Sequence, residues 1–200
     1  MKSVVSIVEG DGEVEALPVL LRRLAEWLSP NDYVHVGRPI RVKRDQFLNR
    51  ADEFEKKLRL AAGLCAGDGW ILILLDADDD CPVELAQTIR QRAAAIIPDH
   101  FVSIVLANRE YEAWFIASAE ALDGCRNFVC PPQVPAAESI RAAKQWISLQ
   151  IRNGAYHEVL DQPAFSARLN LERAHANSRS FRKLCSDWQR AMNHLTLAGE

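Results

Sequence analysis

The sequence of 200 residues contains no long hydrophobic run. A membrane-spanning helix needs about 20 consecutive, mostly apolar residues, whereas the longest apolar stretch here covers residues 70–75 and ends at a run of aspartates. The sequence also lacks an N-terminal basic and apolar segment of the kind that directs secretion. We therefore expect a cytoplasmic protein that does not associate with a membrane.

Cysteine is scarce and unevenly placed. Of the five cysteines, Cys125 and Cys130 are the only close pair, and no second pair of cysteines or histidines stands at the spacing of a zinc site. The sequence therefore favours reduced thiols over a structural zinc or a disulfide framework. This interpretation agrees with a cytoplasmic location.

Two signals that often reveal a nucleotide-dependent or nucleic-acid-binding protein are also missing. The formal net charge is −3, so any contact with nucleic acid must come from local basic patches. No glycine-rich loop of the form G-x-x-x-x-G-K-[ST] is present, so we do not expect the chain to hydrolyse ATP by itself.

The sequence does contain four short apolar segments that alternate with helix-like segments. Residues 3–8, 33–43, 70–75 and 101–107 are predicted strands, the second with a kink at Gly37 and Pro39. Helices are predicted over residues 13–28, from a cap at Asp45 to about residue 61, from Pro82 to about residue 97, and over residues 110–122. This alternation predicts an α/β fold, a Rossmann-like parallel four-stranded sheet flanked by helices.

The character of the sequence changes after about residue 124. A proline-rich connector is followed by three predicted helices near residues 136–152, 161–175 and 178–196. We therefore divide the chain into an α/β domain over residues 1–123 and a C-terminal helical extension over residues 136–200, packed on the first domain.

Acidic clusters follow the first and third predicted strands. Glu9 and Glu13 belong to the first cluster, and Asp76, Asp78 and Asp80 to the second. Ligands of open parallel sheets bind at the carboxyl ends of the strands, so both clusters should lie at one edge. Residues two apart in an extended segment point the same way, so Asp76 and Asp78 can face one ion. Carboxylate ligands favour Mg²⁺ or Mn²⁺ over zinc.

Each acid also has a purely structural interpretation. Glu13 can complement the dipole of the helix that it begins, and Asp79 and Asp80 can cap the helix that begins at Pro82. Glu110 or Glu112, which follow the fourth strand, can complete a second metal site, or Arg109 can form a surface pair with a glutamate of this segment at a helix start.

The basic residues near the predicted edge can contact phosphates. Arg38, Arg41, Lys43 and Arg44 form the densest basic stretch, and Arg109 follows the fourth strand. Arg41 and Lys43 share one face of a predicted strand, which suits backbone phosphates. The alternative is an ordinary solvated face, as most charge runs are.

At these acidic residues the sequence resembles the Toprim domain of topoisomerases, DnaG-type primases and overcoming-lysogenisation-defect (OLD) nucleases. The shared features are Glu9-Gly10-Asp11-Gly12-Glu13 after the first strand and Asp76-Ala77-Asp78 after the third. The resemblance covers about residues 1–120. The sequence is most similar to a stand-alone bacterial Toprim-like family of unknown function, which also shares the segment from Arg109 to Phe115 and a late Ser180-Phe181 pair.

The resemblance implies specific roles for these residues. Glu9 would act as general acid or base or as a metal ligand, Asp76 and Asp78 would hold the metal, Asp80 would match a further aspartate of some members, and Glu13 would match a second acid of the OLD nucleases. The topoisomerase tyrosine and the helper lysine of the nucleases are not identified in the sequence.

We therefore expect Mg²⁺- or Mn²⁺-dependent hydrolysis of phosphodiesters in nucleic acid, with DNA as the expected substrate. By resemblance, a separate ATPase subunit and a role in a defence or mobile-element system are expected. Two alternatives remain open. One is a non-catalytic nucleic-acid-binding or assembly subunit that keeps a metal site, and the other is a phosphatase acting on small phosphoesters.

Overall fold

The computed structural model describes residues 2–65 and 69–197. All its strands belong to one parallel sheet. They are β1 (Lys2–Val8), β2 (Val34–Val36), β3 (Ile40–Arg41), β4 (Trp70–Asp76) and β5 (Phe101–Ala107). The order across the sheet is β2-β1-β4-β5, and β3 also pairs with β1. The expected parallel α/β fold is confirmed, and the kink predicted at Gly37 and Pro39 divides the second predicted strand into β2 and β3.

Helices cover both faces of the sheet. They are α1 (Asp11–Leu28), α2 (Arg44–Asn49), α3 (Ala51–Leu64), α4 (Pro82–Ile96), α5 (Ala113–Ile116), α6 (Ala143–Leu149), α7 (Glu158–Arg168), α8 (Leu171–Asn177) and α9 (Arg179–Leu197). Short 3-10 turns lie at Ala119–Leu122, Cys125–Asn127 and Ala137–Ser139. None of the described helices is both long and apolar enough to cross a membrane.

Strand β4 shows why this sheet needs two covering layers. Every residue of β4 is buried, as expected for a central parallel strand. Successive side chains alternate between faces. Trp70, Leu72 and Leu74 join a core shared with α1, α7 and α9, whereas Ile71, Ile73 and Leu75 join a core shared with α3 and α4.

The C-terminal helices complete the first of these two cores. Helix α7 packs along α1, and Phe165 of α7 is fully buried beside Phe115. Trp188 of α9 lies edge-on to Trp70 of β4, with ring centroids 5.7 Å apart. These helices therefore hold α1, and with it the end of β1, against the sheet.

Several predicted helix boundaries are wrong. The helix expected from Asp45 to residue 61 is broken at Arg50, which is extended and separates α2 from α3. Asp45 lies in the first turn of α2 and does not cap it. Residues 110–122 form only the single turn α5 and a 3-10 turn, and the second C-terminal helix is divided into α7 and α8. The structure places side-chain contacts at these breaks that periodicity does not reveal.

Candidate metal and phosphate cleft

A cleft of about 560 Å³ lies at the carboxyl edge of the sheet. Both acidic segments line it, since Glu9 and Glu13 follow β1 and Asp76 and Asp78 follow β4. The parallel order of adjacent strands β1 and β4 brings the two segments together, as the sequence predicts. The basic residues at this cleft are Arg41, Lys43, Arg44 and Lys144.

Two glycines allow the first acidic segment to turn from β1 into α1. A Cβ at Gly10 would collide with the carboxylate of Glu13, and a Cβ at Gly12 would collide with the side chain of Gln162 from α7. Glu13 occupies the first turn of α1 and is only 5% exposed. Because the two glycines have no side chain, the buried carboxylate of Glu13 and helix α7 can lie close to the start of α1.

The carboxylates of Glu9 and Glu13 are short of partners. In each case, buried Oε2 has no hydrogen-bond partner among the described residues. Burial raises the pKa of Glu9, and the charge of Asp78 raises it further. Burial also raises the pKa of Glu13. Unpaired buried carboxylate oxygens are costly, so these two acids favour a cation in the cleft.

Asp76 is the most enclosed acid of the second segment. It is the last residue of β4, and its Oδ1 accepts a hydrogen bond of 2.8 Å from the backbone N–H of Tyr111. Burial raises its pKa well above the usual value, and the nearby charges of Glu112 and Glu13 add to this effect. The position of Asp76 is therefore fixed, but its ionised form is unfavourable without a nearby cation.

Asp78 does not share the extended conformation that the sequence argument assumed. Strand β4 ends at Asp76, and Asp78 has a left-handed backbone with φ of 49°. The expectation that the two aspartates point the same way by strand alternation is therefore wrong. Asp78 still lines the cleft, because the turn after β4 directs this exposed residue back toward Arg44.

Arg44 connects the aspartates of this turn. Its guanidinium donates to the backbone oxygen of Asp76 at 3.1 Å, pairs with Asp78 at 3.6 Å and pairs with Asp80. Burial lowers the pKa of Arg44, but the hydrogen bond to Asp80 and the charge of Asp78 outweigh burial and raise it. Arg44 thus already neutralises part of the acidic segment.

The capping role considered for Asp79 and Asp80 is wrong. Helix α4 begins after Cys81, and no side chain caps it among the described contacts. Asp80 is held by Arg44, and Asp79 pairs with Arg109 at 3.0 Å and with Arg141 at 3.1 Å. The arginine partners are distant in sequence, so the residues just before Pro82 do not reveal these ion pairs.

Lys144 lines the cleft and was not predicted from the sequence, and the same is true of its partner Glu158. Lys144 lies in the first turn of α6, its backbone N–H donates to Glu110 at 3.0 Å, and its Nζ pairs with Glu158 at 3.2 Å. Burial lowers the pKa of Lys144, but the carboxylates of Glu112 and Asp76 outweigh burial and raise it. Lys144 therefore stays charged. Lys144 does not belong to a recognisable sequence motif, so its position in the cleft is evident only from the structure.

Glu112 is buried beneath the cleft and not on the surface. It is 0% exposed, and its Oε1 accepts from the Tyr156 hydroxyl at 2.9 Å and from Gln162 Nε2 at 2.7 Å. Its Oε2 has no partner within the described structure. Burial raises its pKa to about 7. The expected surface pair between Arg109 and a glutamate of this segment is also wrong, because Arg109 pairs with Asp79, Glu110 accepts from Lys144 and Glu112 is buried.

The other basic residues divide into two groups. Lys43 and Arg41 line the cleft, where Arg41 pairs with Asp11 at 3.0 Å. Arg38 instead pairs with Glu15 at 3.1 Å and does not line the cleft. The side chains of Arg41 and Lys43 are therefore better placed than that of Arg38 to meet a phosphate bound in the cleft.

The donor set of the cleft fits a hard divalent cation. Oxygen donors prevail there, and no histidine or cysteine from residues 2–65 or 69–197 lines it. In the side-chain conformations of the described residues, no three His, Cys, Asp or Glu groups are arranged to hold one ion. Arg44 and Lys144 pair with several carboxylates instead. A change in side-chain conformation would be needed to form a ligand set.

Comparison with known proteins gives one match. No curated protein matches the sequence, and no solved structure matches it either. The family described as a domain of unknown function (DUF4276) matches residues 8–188, which include the acidic segments, Lys144 and the C-terminal helices. The chain therefore belongs to the DUF4276 family.

Proposed function

We propose that this protein hydrolyses phosphodiester bonds in nucleic acid with the help of Mg²⁺ or Mn²⁺. One observation carries the proposal. Buried carboxylate oxygens of Glu9 and Glu13 lack partners in the described structure and line the same cleft as Asp76 and Lys144. Acids with raised pKa values that gather in a cleft beside a cation are typical of functional sites.

Glu9, Glu13, Asp76 and Asp78 would hold the metal. Asp80 does not line the cleft and is paired with Arg44, so we leave it out of this set. When bound, a divalent cation would polarise a phosphate oxygen and lower the pKa of a water molecule. These carboxylates are partly buried and repel one another, so a bound cation would also reduce their mutual repulsion.

The chain's own residues would do three further things. Glu9 lines the cleft beside Asp76 and Asp78, and in the alternative role, in which it is not a metal ligand, it would take up a proton from the attacking water. Lys144 is positively charged in the cleft and would stabilise negative charge that develops on the phosphate. Arg41 and Lys43 would contact neighbouring phosphates of the nucleic acid backbone.

DNA is the proposed nucleic acid, and a separate ATPase is the proposed partner. The chain has no phosphate-binding loop of its own for ATP. Both the ATPase and a role in defence or in a mobile element rest on the resemblance to OLD nucleases, which is an analogy between families.

A second candidate is a non-catalytic nucleic-acid-binding or assembly subunit. Arg44 already pairs with Asp78 and Asp80, and Lys144 already pairs with Glu158. These internal ion pairs balance much of the cleft's charge without a metal. A subunit of this kind would bind nucleic acid through Arg41 and Lys43 and leave it intact.

One assay separates these candidates. The purified protein is incubated with supercoiled plasmid, with single-stranded DNA, with single-stranded RNA and with p-nitrophenyl phosphate, each in Mg²⁺, Mn²⁺ or EDTA. The variants Glu9→Gln and Asp78→Asn are tested beside Asp52→Asn, a change on α3 at a carboxylate that pairs with Arg50 and does not line the cleft.

Metal-dependent cleavage of nucleic acid that is lost in Glu9→Gln and Asp78→Asn but kept in Asp52→Asn would support the nuclease. Binding without cleavage under every metal condition would favour the non-catalytic subunit. Hydrolysis of p-nitrophenyl phosphate alone would contradict both and favour a phosphatase.

A further inference from the structure

A second groove, of about 770 Å³, shares no lining residue with the first cleft and has no role in the proposed chemistry. It is formed between α4 and the first turns of α9, and Ile104 and Leu106 of β5 form its floor. We call it the β5 groove. Its walls are apolar at Val83, whose exposed fraction is 75%, and at Ala86.

The β5 groove follows the free edge of the sheet. Strand β5 pairs with β4 on one side, and no other described strand pairs with it. The carbonyl of Ala107 accepts from Ala77 N at 2.9 Å, so the peptide groups of Ala107 face β4. The N–H and C=O groups of successive residues point to opposite sides of a strand. Those of Ile104 and Leu106 therefore point away from β4 and toward the groove.

These backbone groups lie in a confined position. Ile104 is 1% exposed and Leu106 is 4% exposed, although both line the groove. Buried backbone N–H and C=O groups are nearly always paired. An added strand would supply partners for the groups that face the groove, as in recognition by β-strand addition.

The walls of the groove also carry positive charge. Arg90 of α4 and Arg179 of α9 are exposed and form no ion pair among the described residues, and Lys183 of α9 adds a third cation that is paired with Asp187. The one acid at the groove, Glu138, accepts hydrogen bonds from Ser178, Ser180 and Asn108. The two unpaired arginines therefore face any molecule that enters.

We infer that the β5 groove binds an extended, acidic segment of a partner protein, which adds as a strand to the edge of β5. Apolar side chains of the segment would pack against Val83 and Ala86, and its acids would pair with Arg90 and Arg179. A second copy of this chain fits less well, since pairing β5 with its own copy would bring the two cationic walls together. The inference does not depend on the proposed nuclease activity.

The test uses the full-length protein and a defined probe. A fluorescent eight-residue peptide in which two valines alternate with two acidic residues, so that each face of the strand carries both types, is titrated, with two matched peptides. One has lysine at every acidic position, and the other carries N-methyl groups on alternate peptide bonds along one edge. Protein variants are the double change Arg90→Glu with Arg179→Glu and, as a control of equal charge change per site, Arg22→Glu on the exposed side of α1.

We expect the acidic peptide to bind with a dissociation constant of about 100 μM or tighter, and to slow hydrogen exchange at the amides of Ile104 and Leu106. Binding should weaken by at least about tenfold with the lysine peptide, with the N-methylated peptide and in the double variant, but not in Arg22→Glu. Equal binding of acidic and lysine peptides, or protection only elsewhere, would overturn the inference. So would a concentration-dependent dimer that protects the same two amides, since a second copy would then occupy the groove.

Discussion

The backbone N–H of Tyr111 donates to Oδ1 of Asp76 at 2.8 Å and ties the end of β4 to the segment that follows β5. The same segment carries Glu112, whose carboxylate is held by Tyr156 and Gln162 from the C-terminal region. These contacts connect Asp76, through the segment of Tyr111 and Glu112, to the C-terminal region.

Asp76→Asn should abolish metal-dependent cleavage of DNA without weakening the fold. Asparagine keeps an oxygen that can accept from Tyr111, but it removes a buried negative charge that lies near Glu112 and Glu13. We therefore expect the melting temperature in EDTA to be equal to or above that of the wild type. Added Mn²⁺ should stabilise the wild type and not the variant. A clear loss of stability in EDTA would show that Asp76 is structural.

Lys144→Met should reduce cleavage by about 100-fold or more, because removal of one preorganised charge from a cleft typically has such an effect. Metal-dependent stabilisation should persist, since Lys144 is not a proposed ligand. Lys56→Met, which removes an exposed partner of Glu53 on α3, is the matched control and should leave cleavage unchanged. If both lysine variants cleave at the wild-type rate, Lys144 has no part in the reaction.

Gly12→Ala should destabilise the protein by about 1–3 kcal/mol, because the added Cβ would collide with the side chain of Gln162 and push α7 from α1. The control is Gly63→Ala in α3, where nothing described lies within 4 Å of the added Cβ. That variant should gain about 0.5–1 kcal/mol from its higher helix propensity. Urea unfolding of both variants measures these changes. Similar effects at the two sites would mean that the approach of α7 to Gly12 is not tightly packed.

Glu138→Gln should lower stability near neutral pH by about 1–3 kcal/mol, because a carboxylate that accepts several hydrogen bonds is replaced. Burial disfavours the charge of Glu138, but the hydrogen bonds from the backbone of Ser180 and the hydroxyl of Ser178 outweigh burial and lower its pKa. A lowered pKa stabilises the fold above the unfolded value of 4.5, and this stabilisation is lost as pH falls through the folded pKa.

The difference between wild type and Glu138→Gln should therefore shrink below about pH 4.5, as measured by urea unfolding across a pH series. Glu55→Gln, which removes an exposed partner of Arg59, is the control and should change stability by no more than about 0.5 kcal/mol. A constant difference for Glu138→Gln across the series would show that its charge does not contribute.

Arg41→Ala and Lys43→Ala should each weaken DNA binding and reduce the slope of log K against log salt by about 0.7–0.9, the value for one lost phosphate contact. Arg38→Ala should not change the slope, because Arg38 pairs with Glu15 and does not line the cleft. Binding is measured in EDTA over a salt series, so that cleavage does not interfere. An equal change in all three variants would place the nucleic acid outside the cleft.

Much of the fold follows from local pattern in the sequence. The segment of residues 70–75 is apolar throughout, and such a run suits only a strand that is covered on both faces. Helix ends were less predictable, since Arg50 is extended and the segment after Glu112 forms only a single helical turn. Tertiary contacts override weak helix propensity at such positions.

The sequence by itself determined the order of strands and helices and the presence of acids at the ends of β1 and β4, because alternating strands and helices of this length form a parallel sheet whose carboxyl ends meet at one edge. Only the tertiary structure decided which charges accompany these acids. Lys144, Tyr156 and Gln162 reach the cleft or the carboxylate beneath it from helices and loops beyond the sheet, and their contacts depend on how α7 packs on α1. Burial raises the pKa values of Glu9 and Asp76. It likewise results from the packing of the whole molecule and not from a local motif.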